Sequence, residues 1–307
     1  MNKETKRFRH EFDMLQNDEM SYYQQLLIRK YQPDVQHWID RLKTEDFYEK
    51  NSTSKWHQTD NQKRWNMIKN GHKTNQTTDD INYYNDNPIE YRWNNYGFRT
   101  DDDFNDSQVG VVTLGCSHTE GVGHHYENTW GYKLSKHFSQ PHWNLGRGGK
   151  GLDCAYRLLY AFDDFLKYDK VFLLCPSPFR TELFTLDDAF LNEFYKYPKD
   201  FLKKQKAPSS IFKSEEMNKG FDVVQFGSNI RELLKHTSLI NSLRGFVQNK
   251  GAEFYFVDLH LFPHHIEEDL ISEKECENYS ARDGHWPIKK QHLVYKTFLQ
   301  MYEGIHE

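Results

Sequence analysis

The sequence VGVVTLGCSHTEG, residues 109–121, joins a short β-branched run to a glycine and then to Ser117. A buried strand that closes on glycine before a helix is typical of α/β domains. Such sheets bind ligands at the carboxyl ends of their strands, so we expect the Ser117 hydroxyl to be presented at that edge. Backbone N–H groups in the same turn are placed to hold a developing oxyanion.

Strands and helices continue to alternate from this stretch to the end of the chain. The predicted strands are 109–115, 142–145, 170–175 and 253–259. The predicted helices are 127–138, 151–168, 229–251 and 287–302. Because parallel strands need long crossover connections, this alternation predicts a mainly parallel sheet with helices on both faces.

The N-terminal part of the chain has another character. Residues 1–50 place apolar and aromatic side chains at three- and four-residue spacings, which predicts helices. Residues 74–87 are polar and rich in Asn, which predicts a linker or an extended loop. We therefore divide the chain into a helical N-terminal region with a polar linker, residues 1–88, and an α/β domain, residues 89–307. An insertion at about 178–226 fits no single element.

Charge and hydropathy exclude several classes of protein. The 40 Lys and Arg against 45 Asp and Glu leave a net charge of -5, which argues against nucleic acid as the partner. Mean hydropathy is -0.92, and no run approaches the roughly 18 apolar residues that cross a membrane. The charged N-terminus lacks the apolar stretch of a secretory signal, so we expect a cytoplasmic location. The N-terminal helices are candidates for binding a protein partner or for self-association.

Two further stretches carry chemistry. The Gly-rich NLGRGGKG, residues 144–151, runs into a predicted helix and offers backbone N–H donors. Near the C-terminus, ARDGHWP at 281–287 places Asp283 and His285 two residues apart on a loop. A serine needs a base to become a nucleophile, and the base needs an acceptor that orients it. Ser117, His285 and Asp283 supply these three parts.

From about residue 89 the chain resembles the SGNH or GDSL-type hydrolases, which are serine esterases and acyltransferases on a flavodoxin-like three-layer α/β/α fold. TLGCSHTEG at 113–121 resembles the family's first block, with GCS where GDS is usual. WNLGRGGKG at 143–151 resembles the second block, and RDGHW at 282–286 resembles the last. The lead-in YRWNNYGFRTDDDF at 91–104 is also similar to the segment before the first block.

This resemblance implies a role for each matching residue. Ser117 would be the nucleophile, His285 the general base and Asp283 the group that orients the imidazole. The backbone N–H groups of Ser117 and Gly149 would form the oxyanion hole. The family needs no cofactor and no metal ion for this chemistry.

The third block departs from the family. Its usual GxND is replaced by LLCPSPFRTE at 173–182, which contains no Asn to donate to the oxyanion. Ser177 stands at the matching place and would be a weak donor, and Arg180 would reach the pocket from the same loop. Arg180 and Asn144, the Asn of the second block, are the candidates for substrate binding.

The resemblance implies a serine ester hydrolase that removes acetyl or short acyl groups from a sugar or glycan. One alternative is an O-acyltransferase on the same triad, because the short RDGHW block is similar to that of the alginate O-acetyltransferase branch. Another is a catalytically weak SGNH-like protein used for binding or assembly, including as part of a virion. The missing Asn and the aromatic N-terminal helices favour that alternative.

Simpler interpretations of the same residues stay open. Ser117 would also suit a helix N-cap, with Glu120 completing a capping box. Cys116 is a rival nucleophile, although neighbours at a strand end face opposite ways. The loop at 146–151 would suit a phosphate, but it lacks the spacing of a P-loop.

Histidines cluster at two places, and neither predicts a metal site. Pro263 interrupts the second group, so its members cannot be paired ligands on one helix. We expect surface or supporting roles for all of them: His118, His124, His125, His260, His264 and His265.

Overall fold

The computed structural model describes residues 49–71, 76–178, 180–183, 192–195, 229–258 and 279–304. The chain divides into two compact units, Met1–Glu45 and Asp46–Glu307, and every described residue belongs to the second. Helices were predicted within residues 1–50, and residues 1–48 of that stretch lie outside the described residues.

The described residues form an α/β arrangement. The strands in chain order are β1 (Ser52–Ser54), β2 (Tyr91–Trp93), β3 (Val109–Leu114), β4 (His142–Asn144), β5 (Lys167–Leu174), β6 (Arg180–Leu183), β7 (Asn192–Tyr195) and β8 (Glu253–Val257). The α-helices are α1 (Gln62–Lys69), α2 (Thr78–Asp86), α3 (Ser117–Glu120), α4 (Trp130–Phe138), α5 (Leu152–Phe162), α6 (Asn229–Asn249) and α7 (Ile288–Glu303).

A four-stranded parallel sheet in the order β4-β3-β5-β8 lies at the centre. By order of appearance in this sheet the strands run 2-1-3-4, which matches the first four positions of the doubly wound order 2-1-3-4-5. The predicted parallel α/β sheet is therefore confirmed. Most boundaries differ by three residues or fewer. The largest difference is at the helix predicted to reach residue 168, which ends at Phe162, before Lys167 begins the next strand.

Helices cover both faces of the sheet. On one face α4 and α7 pack on the strands through a cluster of buried side chains: Val111, Trp130, Leu134, Phe172, Leu174, Val294 and Phe298. In β5 the alternate residues Val171 and Leu173 point to the other face and are fully buried there. The helices α5 and α6, which meet where Tyr156 contacts Phe246, provide that cover. This arrangement is compatible with three α/β/α layers.

The segment before the sheet is folded rather than a linker. The linker or loop predicted at 74–87 is wrong over most of its length, because α2 occupies it. Thr77 and Asp80 form a reciprocal capping box, in which the Thr77 hydroxyl accepts from the Asp80 N–H and the Asp80 carboxylate accepts from the Thr77 N–H. Tyr84 then anchors the helix in an aromatic cluster. The compact unit accordingly begins at Asp46, well before the predicted boundary at 88.

Of the predicted insertion at 178–226, the structure describes mainly a hairpin. Its strands β6 and β7 pair antiparallel, with Arg180 opposite Tyr195. Among the described helices, none is long and apolar enough to cross a membrane.

Candidate active site

A sharp turn delivers Ser117 to the carboxyl edge of the sheet. Gly115, directly after β3, has φ +149°, and a Cβ there would overlap Thr119 Oγ1 and lie 2.6 Å from the Leu174 carbonyl oxygen. Only glycine fits this close approach, so the residue directs the chain from strand to helix. Ser117 is then the first residue of α3.

The structure brings the three predicted triad residues together. His285 Nε2 lies 2.9 Å from Ser117 Oγ, and His285 Nδ1 lies 2.6 Å from Asp283 Oδ2. The backbone N–H of His285 also donates to Asp283 Oδ1 at 3.1 Å. A proton held on Nδ1 by the carboxylate leaves the Nε2 lone pair facing the serine hydroxyl. The arrangement can therefore remove a proton from Ser117.

The loop that carries Asp283 is fixed to the segment that carries Ser117. The Arg282 N–H donates to the Gly123 carbonyl at 2.9 Å. Gly123 has φ +81°, and a Cβ on it would overlap Asp283 Oδ1. Gln76 adds hydrogen bonds from its amide to the carbonyls of Ala281 at 2.6 Å and Arg282 at 2.7 Å. The two halves of the triad are thus joined by main-chain contacts.

The segment before the sheet clamps the same loop. The Arg282 guanidinium donates to Asp60 from Nε at 2.8 Å and from Nη2 at 2.6 Å, and Nη2 also donates to the Lys55 carbonyl at 2.7 Å. The Tyr91 hydroxyl donates to Asp60 and accepts from the Gly123 N–H at 2.9 Å. Two hydrogen bonds from one guanidinium to one carboxylate fix the orientation of the Arg282 side chain and compensate its charge.

Thr59 reaches the triad directly. Its hydroxyl donates to Asp283 Oδ2 at 2.5 Å, the oxygen that also accepts from His285. Burial raises the pKa of Asp283, but the hydrogen bond and charge of His285, with the Thr59 hydrogen bond, outweigh it. The pKa of Asp283 therefore lies well below its ordinary value, and the carboxylate stays ionised at neutral pH.

The solvent exposure of the three triad residues decreases from His285 through Ser117 to Asp283. The side chain of His285 is 20% exposed, Ser117 is 7% exposed as a residue, and Asp283 is 1% exposed. The hydroxyl and the imidazole can meet a small ligand, whereas the carboxylate is sealed behind them.

The capping interpretation of Ser117 is wrong. The N-cap of α3 is Cys116, whose side chain makes no capping hydrogen bond, and Ser117 is already helical. Its hydroxyl faces His285 instead. Cys116 itself is 4% exposed, so it presents little surface to a substrate.

Glu120, which the capping-box interpretation paired with Ser117, connects the Gly-rich loop at 144–151 to the turn that carries Ser117. Its Oε2 accepts from the Gly148 N–H at 2.6 Å, and its Oε1 lies 3.1 Å from His57 Nε2 and 3.9 Å from Arg147 Nη1. Burial raises the pKa of Glu120, but the interactions with His57, Arg147 and Gly148 lower it by more. The pKa of Glu120 therefore lies below its ordinary value. A buried carboxylate thus sits between the two predicted oxyanion segments.

Gly149 lies in this loop with φ +80°. The N–H groups of Gly146, Arg147 and Gly148 donate to protein acceptors, which argues against a phosphate cradle. Within the described part of the chain, by contrast, the N–H groups of Ser117 and Gly149 donate to no protein acceptor. These two donors are the ones predicted for the oxyanion hole.

Asn144 does not contact the open side of the site. It is completely buried, its amide donates to the Arg99 carbonyl at 2.9 Å, and its Oδ1 accepts from the Gly146 N–H at 3.0 Å. The substrate-binding role predicted for Asn144 is therefore corrected to a structural one, in which the side chain shapes the Gly-rich loop.

The other two predicted residues lie after β5. The Ser177 carbonyl accepts from the Arg180 N–H at 3.1 Å, and Ser177 is partly exposed. Arg180 Nη1 donates to the Lys150 carbonyl at 3.4 Å, so its guanidinium lies over the Gly-rich loop. Its charge also contributes to the lowered pKa of His118.

The His118 ring packs against two aromatic rings of the loop that carries Asp283. Its ring stacks on Trp286 with centroids 3.7 Å apart and meets the His285 ring edge-on at 5.1 Å. Burial, followed by the charges of His285 and Arg180, holds the pKa of His118 well below its usual range. The His118 imidazole is therefore neutral beside His285.

The remaining histidines of the two groups supply no metal site in the described residues. Burial lowers the pKa of His124 to about 3, and His125 Nε2 lies 3.1 Å from the Asn87 carbonyl. The second group, His260, His264 and His265, lies outside the described residues.

A different set of possible ligands was missed from the sequence. Cys175, His236 and Asp258 are the one group in the described residues whose ligand atoms lie close enough to share an ion. Burial raises the pKa of the Cys175 thiol, with a further contribution from the charge of Asp258, so this thiol is not an activated nucleophile. The available signal was positional, since Cys175 and Asp258 each follow directly on a parallel strand.

Thr59, Asp60 and Gln76 were missed as well, and no motif marks them. They act through the tertiary contacts described above, which only the folded chain reveals.

Comparison of the chain with protein-family models, curated proteins and solved structures finds no match in any of the three.

Proposed function

We propose that the protein is a serine ester hydrolase with Ser117, His285 and Asp283 as its catalytic triad. The observation that carries the proposal is the continuous chain of two hydrogen bonds, 2.9 Å from serine to imidazole and 2.6 Å from imidazole to carboxylate. These groups come from segments 168 residues apart, so their alignment is a property of the fold. Nucleophile, base and orienting acceptor in this geometry are the parts that acyl transfer requires.

In the acylation step Ser117 Oγ attacks the ester carbonyl carbon while His285 Nε2 takes the hydroxyl proton. Asp283 remains ionised and stabilises the imidazolium that forms. The tetrahedral intermediate then collapses, the bond to the alcohol breaks, and His285 returns the proton to the departing oxygen. In the second step His285 takes a proton from water as the water oxygen attacks the acyl carbonyl carbon. The bond to Ser117 Oγ then breaks, His285 returns the proton to Oγ, and the acid is released.

The negative charge on the carbonyl oxygen needs donors aimed at it. The N–H groups of Ser117 and Gly149 are the two we assign, with the Ser177 hydroxyl as a weak third. An enzyme that lacks one oxyanion donor loses on the order of 10²–10³ in turnover. Since no Asn occupies the third-block position, we expect a modest turnover even on a good substrate.

The substrate we propose is an acetyl or other short acyl ester of a sugar. The low exposure of Ser117 favours a small acyl group, and the stacked pair of His118 and Trp286 offers an aromatic wall beside the base. The choice of a sugar as the alcohol rests on the motif resemblance alone.

The test is intact-mass spectrometry of the full chain after treatment with a fluorophosphonate. We expect one covalent adduct on the wild type and none on Ser117→Ala or His285→Ala. Ser135→Ala is the matched control, because Ser135 is also buried but bonds to the Tyr132 carbonyl in α4. An adduct that persists in Ser117→Ala, or a folded wild type with no adduct, contradicts the proposal and favours the binding or assembly alternative.

The O-acyltransferase alternative is favoured by one feature, the short spacing within RDGHW at 282–286. Incubation of the enzyme with an aryl acetate and an excess of free sugar distinguishes the two activities. Free acetate as the sole product supports hydrolysis, whereas acetylated sugar that depends on Ser117 supports transfer.

A further inference from the structure

Three possible metal ligands, none of them a triad residue, converge at the carboxyl edge of the sheet. Cys175 directly follows β5, Asp258 directly follows β8, and His236 projects from α6. Their ligand atoms, one sulfur, one nitrogen and one oxygen, all lie within 4.8 Å of one another. Each of the three residues is only 3% exposed.

One distance within the group matches the spacing of two ligands on a shared ion. His236 Nε2 and Asp258 Oδ2 are 3.2 Å apart, which is also within hydrogen-bonding distance. A tetrahedral zinc ion, with bonds of about 2.0–2.1 Å to nitrogen and oxygen, holds those two atoms about 3.3 Å apart. The imidazole and the carboxylate are therefore already at the separation that two ligands of one ion adopt.

The burial of the three groups is compatible with a coordinated ion, in addition to the His236–Asp258 pair. Ionisable groups removed from water are normally paired or coordinate a metal, because an unsolvated charge is costly. Here a thiol, an imidazole and a carboxylate are buried together at the ends of two adjacent strands, and Cys175 is held there by its N–H bond to the Val257 carbonyl at 2.9 Å.

We propose that Cys175, His236 and Asp258 bind a divalent zinc-like cation. Thiolate and imidazole ligands select zinc over magnesium or calcium, which prefer shells made of oxygen alone. Binding converts the Cys175 thiol to a thiolate and releases its proton to the solvent. With three protein ligands, the fourth position of a tetrahedral ion is left to water or another donor.

The ion would act as a clamp on the sheet edge. It links the ends of β5 and β8, which pair directly, to the first half of α6. The site shares no residue with Ser117, His285 and Asp283, and it goes beyond the ester hydrolysis proposed above. Its test therefore uses no measurement of activity, so either proposal can fail alone.

The test is titration of the chelator-stripped full chain with Co²⁺, followed by absorption spectroscopy. We expect about one equivalent to bind, with a thiolate-to-cobalt charge-transfer band, and Zn²⁺ but not Mg²⁺ to displace it. Saturating Zn²⁺ should raise the unfolding temperature by roughly 5–10 °C, because an ion that binds only the folded chain stabilises it.

Substitutions of the proposed ligands test which residues produce the thiolate-to-cobalt charge-transfer band. Cys175→Ser should abolish it, and Asp258→Asn should weaken Co²⁺ binding at least about tenfold. Cys154→Ser, a buried cysteine outside the cluster, should leave it unchanged. The proposal is overturned if the folded wild type binds no Co²⁺, or if Cys175→Ser keeps the band. If Cys175→Ser does not fold, binding unchanged in both His236→Gln and Asp258→Asn overturns it equally.

Discussion

Two clusters at one sheet edge contain the same kinds of group, yet their chemistry differs. Each joins a hydroxyl or thiol to an imidazole and a carboxylate: Ser117, His285 and Asp283 in one, and Cys175, His236 and Asp258 in the other. In the first, the two ring nitrogens of His285 face different partners, so the imidazole can take the Ser117 proton at Nε2 while Asp283 stays ionised at Nδ1. In the second, His236 Nε2 faces Asp258 at 3.2 Å, and one ligand atom from each of the three residues lies within 4.8 Å of the others.

Exposure separates the clusters further. The His285 side chain is 20% exposed, whereas that of His236 is 3% exposed. Hydrogen bonds keep the pKa of Asp283 low despite its burial, while burial raises the pKa of Cys175. Composition alone therefore does not make a triad. The assignment of a nucleophile depends on which ring nitrogen meets which partner, and on a path to solvent.

The largest expected effect contrasts the two nucleophile positions. Ser117→Ala should lower kcat/KM for a short acyl ester by about 10⁴-fold or more, because the remaining groups have no attacking atom. Cys175→Ala should leave kcat/KM within a few-fold, since that thiol takes no part in the proposed reaction. Steady-state kinetics on both purified variants make the comparison. A large loss in Cys175→Ala with Ser117→Ala unaffected would reverse the assignment of the clusters.

Asp283→Asn should cost about 10⁴-fold in kcat. An amide in place of the carboxylate no longer fixes the proton on His285 Nδ1, so Nε2 is not held ready as the base. The corresponding change in the other cluster, Asp258→Asn, is the control and should leave kcat nearly unchanged. Equal losses in the two variants would show that the clusters are not independent.

Gly123→Ala tests the contact between the turn and the triad. A Cβ at this position would overlap Asp283 Oδ1, so we expect kcat/KM to fall by about 10²-fold through displacement of the carboxylate. Gly251→Ala is the matched control, because Gly251 has a similar φ of +77° but no atom within 4 Å of a Cβ. Both variants should lose about 1 kcal/mol of stability from the positive φ, measured by urea unfolding. Activity lost equally in both would rule out the specific contact.

Much of the fold, and the residues of the candidate triad, can be predicted from the sequence because the signals are local. Apolar runs that end in glycine predict the strands, and the short motifs around Ser117 and Asp283 carry the candidate chemistry. Asn144 was misassigned because a motif gives its place but not its burial. The helix α2 was not predicted because its sequence is rich in Asn, although Thr77 and Asp80 have the spacing of a capping box.

The support of the triad and the second cluster could not be predicted in this way. Thr59 meets Asp283 across 224 residues, and His236 meets Asp258 from a helix face. Such pairings are set by the packing of whole elements, which no spacing in the chain encodes. They are found only once strand order and helix placement are known.

Acid stability should report the environment of Asp283. Because its pKa is lower in the folded chain than the unfolded value of about 3.9, it adds stability above that pH, and the contribution is lost as pH falls toward the folded pKa. We expect the wild type to lose about 2 kcal/mol more than Asp283→Asn between pH 5 and pH 2, a factor of about 30 in the unfolding equilibrium. Urea unfolding at stepped pH measures this, and identical pH profiles would contradict it.

Thr59→Val should give the smallest effect and the most specific one. Valine keeps the shape of threonine but removes the hydroxyl that donates to Asp283 Oδ2, the oxygen shared with His285. We expect kcat to fall by roughly tenfold, corresponding to about 1.4 kcal/mol, with KM unchanged, because Thr59 positions the carboxylate and does not touch substrate. Thr59→Ser should restore kcat, since it returns the donor without the methyl group. A rise in KM, or no rescue by serine, would mean that Thr59 acts only through packing, and that the segment before the sheet supports the loop without tuning the triad.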